Sequence, residues 1–223
     1  MTAGEVLEIT LLTLRVGLVS TAIILVPGVA LGYLLARREF KGRALVQTLV
    51  SLPLVLPPVA VGLALLLVLS RRAPIGRALE GFFGGPVLLT WWAAAIAAAV
   101  MSFPLLVRGA EQGFLGVPRR LEQVASSLGA TRWRVFVEVT LPLAMRGILY
   151  GVVFAFARGL GEFGATTIVA GHIPGRTETL ALGIYGRIES FRDSEALILA
   201  GVAVVLAVGV TLLAESVLRS RRA

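Results

Sequence analysis

Five long apolar runs constrain this chain more than any other feature: residues 16–36, 45–69, 87–107, 148–170 and 196–218. Each is near or above the ~20 residues a helix needs to cross hydrocarbon. A soluble domain of 223 residues could not bury the apolar surface implied by 57% hydrophobic and 15% charged residues. The expected fold is therefore an all-α integral membrane protein with five transmembrane helices, forming a single transmembrane domain over residues 1–223. Residues 180–185 are too short for a sixth span and are expected at the interface or re-entering beside protein. A six-span count would require splitting the region 45–69.

The basic residues predict an orientation. Segments 37–43, 108–146 and 219–222 hold four, six and three of them, whereas the opposite side has six: Arg71, Arg72, Arg77, Arg176, Arg187 and Arg192. Basic residues flanking spans stay cytoplasmic, so the first group is expected inside, with the N-terminus outside and the C-terminus inside. An odd number of spans gives the same result. No cleavable signal is expected, because the first 14 residues contain Glu5 and Glu8 but no basic residue.

Several function classes are excluded or disfavoured. The chain has no cysteine, and His172 is its only histidine, so no thiolate or paired-histidine metal site is expected. Lys41 is the only lysine, and no glycine-rich phosphate loop surrounds it. Acidic residues are scattered singly, which argues against a membrane enzyme. The net charge of +8 is spread over membrane-flanking loops without a stripe or interleaved aromatics. Lipid contact and topology explain it better than nucleic acid does.

Residues 122–142, EQVASSLGATRWRVFVEVTLP, are a charged amphipathic insert between apolar runs. At helical spacing Leu121, Val124, Ala125 and Leu128 share one stripe, with Arg119, Arg120, Glu122, Gln123 and Ser127 elsewhere. Gly129 is expected to end this helix. A second short helix is expected through Trp133, Phe136 and Val137, with Pro142 marking the turn toward the next apolar run. Such an insert reads as a docking surface for a partner.

Other residues stand out inside the spans. Pro57 and Pro58 remove two amide donors and should interrupt the second span, and Ser102 with Pro104 should kink the third. Arg158 and Glu162 fall within the fourth run, where either would be costly facing lipid. At i and i+4 on one helix face, two readings stand. They form a structural pair, or Arg158 supplies positive potential along an anion pathway, with Glu162 tethering it and Thr166 and Thr167 offering hydroxyls. Gly159, Gly161 and Gly164 permit a bend or close helix packing.

The insert resembles the cytoplasmic EAA loop of ABC-importer permeases. Gly129, Val139, Leu141 and Pro142 occupy the later motif positions at the right spacing, while Gln123, Val124 and Ala125 stand where the family has Glu, Ala and Ala. Only Ala125 matches, and Glu122 is the candidate replacement for the missing carboxylate. The runs LPLVLPPV (52–59), TWW (90–92), MSFPL (101–105) and ARGLGEFGATT (157–167), with the segment 169–180, resemble the molybdate-type permeases and less closely the sulfate/thiosulfate type. His172 departs from an expected Asn and is read as an ordinary exposed loop residue.

The resemblance implies a type I ABC-importer permease architecture and a transport subunit rather than an enzyme. Two copies would form the pathway for molybdate and tungstate. Two cytoplasmic ATPase subunits would receive the coupling helix, residues 121–130 of the loop 108–146, and would carry ATP and Mg, leaving no cofactor on this chain. An extracytoplasmic protein would deliver the oxyanion. A sulfate permease is the alternative, and a carrier or channel without an ATPase a distant one.

Overall fold

The computed structural model describes residues 1–219, so Arg221 and Arg222, counted above among the cytoplasmic residues, lie outside it. The described residues contain helices and turns but no strand. The first helix, α1 (Ala3–Arg37), starts well before residue 16. Its start is fixed by a capping box, in which Thr2 accepts from the Glu5 amide and the Glu5 carboxylate accepts from the Thr2 amide. It passes through Pro27 without ending.

The second apolar run divides into α2 (Arg43–Val55) and α3 (Pro58–Leu69), bent by 111° between them. A short loop helix, α4 (Pro74–Phe83), leads to α5 (Trp91–Leu115). Helices α6 (Arg119–Ser127) and α7 (Arg132–Val135) follow, then one π-helical turn (Phe136–Thr140) that runs directly into α8 (Leu141–Leu160). The chain ends with α9 (Gly164–Ala170), α10 (Leu180–Glu189) and α11 (Asp193–Arg219).

Four helices are long and apolar enough to cross a membrane, or five if the bent α2–α3 pair counts as one span. No sixth span occurs among the described residues: the second run does split, but α2 and α3 have only 13 and 12 residues, and α10 has ten. The fourth span differs from the expected run 148–170. It covers Arg132–Leu160 and stops before the glycines at 161 and 164. Pro142 consequently marks no turn. It sits in the first turn of α8, directly after the π turn, a position where proline is tolerated.

α5 is the centre of the bundle. Its alanines at 93–95 and 97–99 are buried, so neighbouring helices approach closely. A Cβ added to Gly113 would lie 2.6 Å from the Ala144 carbonyl oxygen, and one at Gly151 would lie 3.0 Å from that of Leu106. Backbone thus meets backbone where α5 crosses α8. On its other side α5 meets α1, with Gly28 against Leu106 and Gly32 against Ala110. Without a hydrophobic force between helices in lipid, this close dispersion packing is what holds them together.

Candidate functional site

The two interrupted stretches meet each other. At the first, Leu56 and Pro57 are both extended, with ψ of 145° and 131°. A proline disfavours helical backbone in the residue before it, and Pro57–Pro58 imposes this on two successive residues. At the second, α8 ends at Leu160 and α9 begins at Gly164. Gly164 lies so close to the first break that an added Cβ would be 2.6 Å from the Pro58 Cβ. One at Gly62 would be 2.9 Å from the Ala165 Cα. Pro58, Gly62, Gly164 and Ala165 therefore form a joint between α3 and α9.

Arg158 and Glu162 sit at this joint, although not in one helix as the sequence suggested. Glu162 lies beyond the end of α8, because Gly161 and Phe163 leave helical geometry. The pair still forms, with Arg158 Nη1 2.8 Å from Glu162 Oε2. Glu162 Oε1 meanwhile accepts the Ala165 amide at 2.9 Å, satisfying one of the open donors at the start of α9. Glu162 is buried, while the Arg158 side chain is 30% exposed. The carboxylate thus anchors a guanidinium whose other edge is open.

The expected hydroxyls are placed differently. Thr166 is buried, and Thr167 Oγ1 donates to the Phe163 carbonyl at 2.7 Å. Ser102 is fully buried inside α5, and its Oγ has no hydrogen-bond partner. It faces Gly159, where an added Cβ would lie 3.5 Å from it and 3.2 Å from Ser20 Oγ. Gly159 thus serves close packing, whereas Gly161 has nothing within 4 Å of an added Cβ. Pro104 stays within α5, which continues to Leu115.

The insert between α5 and α8 presents an apolar surface. Leu121, Val124 and Leu128 on and after α6 are exposed, Leu128 by 82%, and Trp133 on α7 by 73%. Ala125 is half-buried and Gln123 exposed. Gly129 adopts φ +86°, and the Ala130 amide donates to the Ala125 carbonyl at 3.1 Å, closing the helix end. Leu141 is half-buried and Pro142 exposed.

A tether beneath α6 was not legible in the sequence. Glu122 Oε1 accepts from Arg37 Nη2 at 2.9 Å and from Thr140 Oγ1 at 2.6 Å. Arg37 Nη2 also donates to the Val117 carbonyl at 3.2 Å. Glu122 therefore faces its own bundle, joining α6 to the end of α1 and to the π turn. The π turn is itself a strained register often found where function requires it.

Further contacts lie near the opposite ends of the helices. Arg15 stacks on Trp91, its guanidinium carbon 3.8 Å from the ring centroid. His172 is exposed, as expected, yet it is not without partners: its Nε2 lies 3.2 Å from Glu178 Oε1 and its ring lies against Gly186. Glu178 and Arg187 form a buried ion pair beside it.

Interrupted spans locked at a joint, together with a tethered amphipathic insert carrying exposed apolar side chains, define a multi-span helical membrane protein. The backbone superimposes on the inward-facing MetNI methionine ABC transporter with a TM-score of 0.73 over 99% of each chain, at 19% identity. The sequence is 46% identical over 183 residues to the molybdenum transport system permease protein ModB of Escherichia coli K12, covering 82% of this chain and 80% of that protein. It is 40% identical to the putative molybdenum transport system permease protein YvgM of Bacillus subtilis, covering 85% and 84%. Residues 28–222 match the model for binding-protein-dependent transport system inner membrane components. The chain belongs to that family and is a multi-pass inner-membrane permease.

Proposed function

We propose that this chain forms the membrane pathway of an ATP-driven molybdate importer that also accepts tungstate. The observation carrying this reading is the 46% identity to a molybdenum permease over most of both chains. Two copies enclose the pathway. The residues 108–146 and the C-terminus face the cytoplasm, with the N-terminus outside, as the distribution of basic residues supports.

Residues 121–130 dock on a separate ATPase subunit. The exposed Leu121, Val124, Leu128 and Trp133 support this, because an apolar patch on a cytoplasmic loop is stabilised when a partner covers it. ATP and Mg belong to that partner. Closure of the ATPase pair displaces α6, and Glu122 passes the displacement to Arg37 on α1 and Thr140 before α8. The spans then exchange inward-open and outward-open arrangements around the joint.

At the joint, Arg158 supplies positive potential to a passing oxyanion, and Glu162 keeps the guanidinium in place. Pro57 and Pro58 let α2 and α3 move relative to each other. Ser102, Thr166 and Thr167 support the surrounding packing. An external binding protein delivers the dianion and selects it by size.

The test of substrate is competition in proteoliposomes containing this chain, its ATPase and its binding protein. Uptake of labelled molybdate is expected to be blocked by tungstate and not by sulfate. Competition by sulfate at similar concentration would move the assignment to a sulfate permease.

A further inference from the structure

A second set of charged side chains, used neither by the joint nor by α6, lies between α2 and α5. Arg43, Gln47 and Ser51 are spaced four apart on one stripe of α2. They face Arg108 and Glu111 of α5. Glu111 is buried, only 2% exposed. Its Oε1 accepts from Gln47 Nε2 at 2.9 Å and lies 3.7 Å from Arg43 Nη2. Its Oε2 accepts from Arg108 Nη1 at 3.1 Å. Arg108 Nη2 donates onward to Ser51 Oγ at 3.2 Å.

Tethering α2 to α5 requires no more than the Gln47 and Arg108 contacts. Arg43 is additional, and it brings a second guanidinium against a single carboxylate. One positive charge is left over, and two like charges are held side by side that would otherwise repel. Arg43 Nε is buried without an acceptor. An unpartnered buried donor of this kind marks a place that an added acceptor completes. Both arginines also keep an open edge, with side-chain exposures of 32% and 46%.

We infer that Arg43, Arg108 and Ser51 form a subsite for a tetrahedral oxyanion, with Glu111 holding the two guanidinium groups in place. Planar guanidinium forks match pairs of oxygens on such an anion, and the Ser51 hydroxyl, which donates to the Gln47 carbonyl at 2.8 Å, supplies a further donor once it rotates away from that carbonyl. The ligand comes from one of two sources, a free oxyanion or the phosphate of an anionic lipid headgroup. The free-oxyanion source rests on the importer reading, which places this end of α2 on the cytoplasmic side. There the subsite receives the anion after the joint, and the negative charge of Glu111 keeps binding weak enough for release.

The test uses the complete permease–ATPase complex without nucleotide or binding protein, in nanodiscs of phosphatidylcholine alone. Labelled molybdate and labelled sulfate are titrated separately. The expected result is saturable binding, weakened about tenfold in Arg43→Gln and in Arg108→Gln and unchanged in Arg72→Gln. Should either arginine variant fail to assemble, Ser51→Asp puts a second carboxylate against the same guanidinium groups and gives the same loss. If phosphatidylcholine discs bind no oxyanion, but complex taken from bacterial membrane retains phosphatidylglycerol that the arginine variants lose, the lipid headgroup is the occupant. Wild-type oxyanion binding and wild-type lipid retention in the variants overturn the subsite. Sulfate binding is read without transport, so absence of molybdate uptake by the full importer counts against the importer reading alone. Normal wild-type uptake with unaltered binding in the variants counts against the subsite alone.

Discussion

Glu162 holds Arg158 with one carboxylate oxygen, at 2.8 Å, and caps α9 with the other, which accepts the Ala165 amide at 2.9 Å. A single buried side chain therefore fixes both the cation at the joint and the start of the helix that follows. Glu162→Ala removes both contacts and is expected to cost about 2 kcal/mol of stability, which a lowered midpoint in thermal unfolding of the purified protein would report. Glu162→Gln keeps an oxygen for the amide and should recover roughly half of that loss. Equal midpoints for wild type and Glu162→Ala would show that the carboxylate anchors nothing.

The contact between Gly164 and Pro58 leaves no room for a side chain. Gly164→Ala is expected to destabilise by about 1–3 kcal/mol through overpacking and to slow transport, whereas Gly161→Ala, with open space around it, should do neither. Unfolding midpoints and initial uptake rates of the two variants, measured side by side, decide this. Similar behaviour of both would remove the joint from the description of transport.

Much of the fold was legible because span length and hydropathy are properties of the local chain. The prolines at 57 and 58 announced their break, since a missing amide donor acts wherever it occurs. The end of the fourth span is hidden in the sequence because glycine counts as neutral in a hydropathy pattern, so Gly161 and Gly164 place the end of α8 inside an apolar run. Conversely, the polar face of residues 132–140 masked a segment that continues into the membrane helix. The pairing of Glu122 with Arg37 was invisible for a different reason. Its partner is 85 residues away in sequence, and no spacing rule reaches that far. The same holds for Glu111 and Gln47, separated by 64.

Glu122→Gln weakens the charge-assisted bond to Arg37 and leaves the exposed face of α6 unchanged. ATP hydrolysis by the assembled complex is expected to persist while molybdate uptake per ATP falls about threefold or more, because α6 then moves without carrying α1 and α8 along. An unchanged ratio of uptake to hydrolysis would argue that the displacement travels by another route.

Gly129 ends α6 with φ +86°, a conformation that costs a residue with a Cβ about 1–2 kcal/mol. Gly129→Val is expected to fray the last turn of α6, seen as faster amide exchange over residues 124–128, and to weaken ATPase binding. Exchange at the wild-type rate would mean that the helix end is fixed by something other than this glycine.

The most direct measurement is ATP-dependent uptake of labelled molybdate into proteoliposomes containing the permease, its ATPase and its binding protein, compared for wild type and Ala125→Arg. Ala125 lies on the α6 stripe, where a long charged side chain would obstruct the proposed docking surface. Uptake that requires the ATPase, and that Ala125→Arg abolishes although the protein still inserts into the membrane, is the expected result. Normal uptake in Ala125→Arg, or uptake by the chain without any ATPase, would contradict the docking role of α6 and the ATP-driven mechanism.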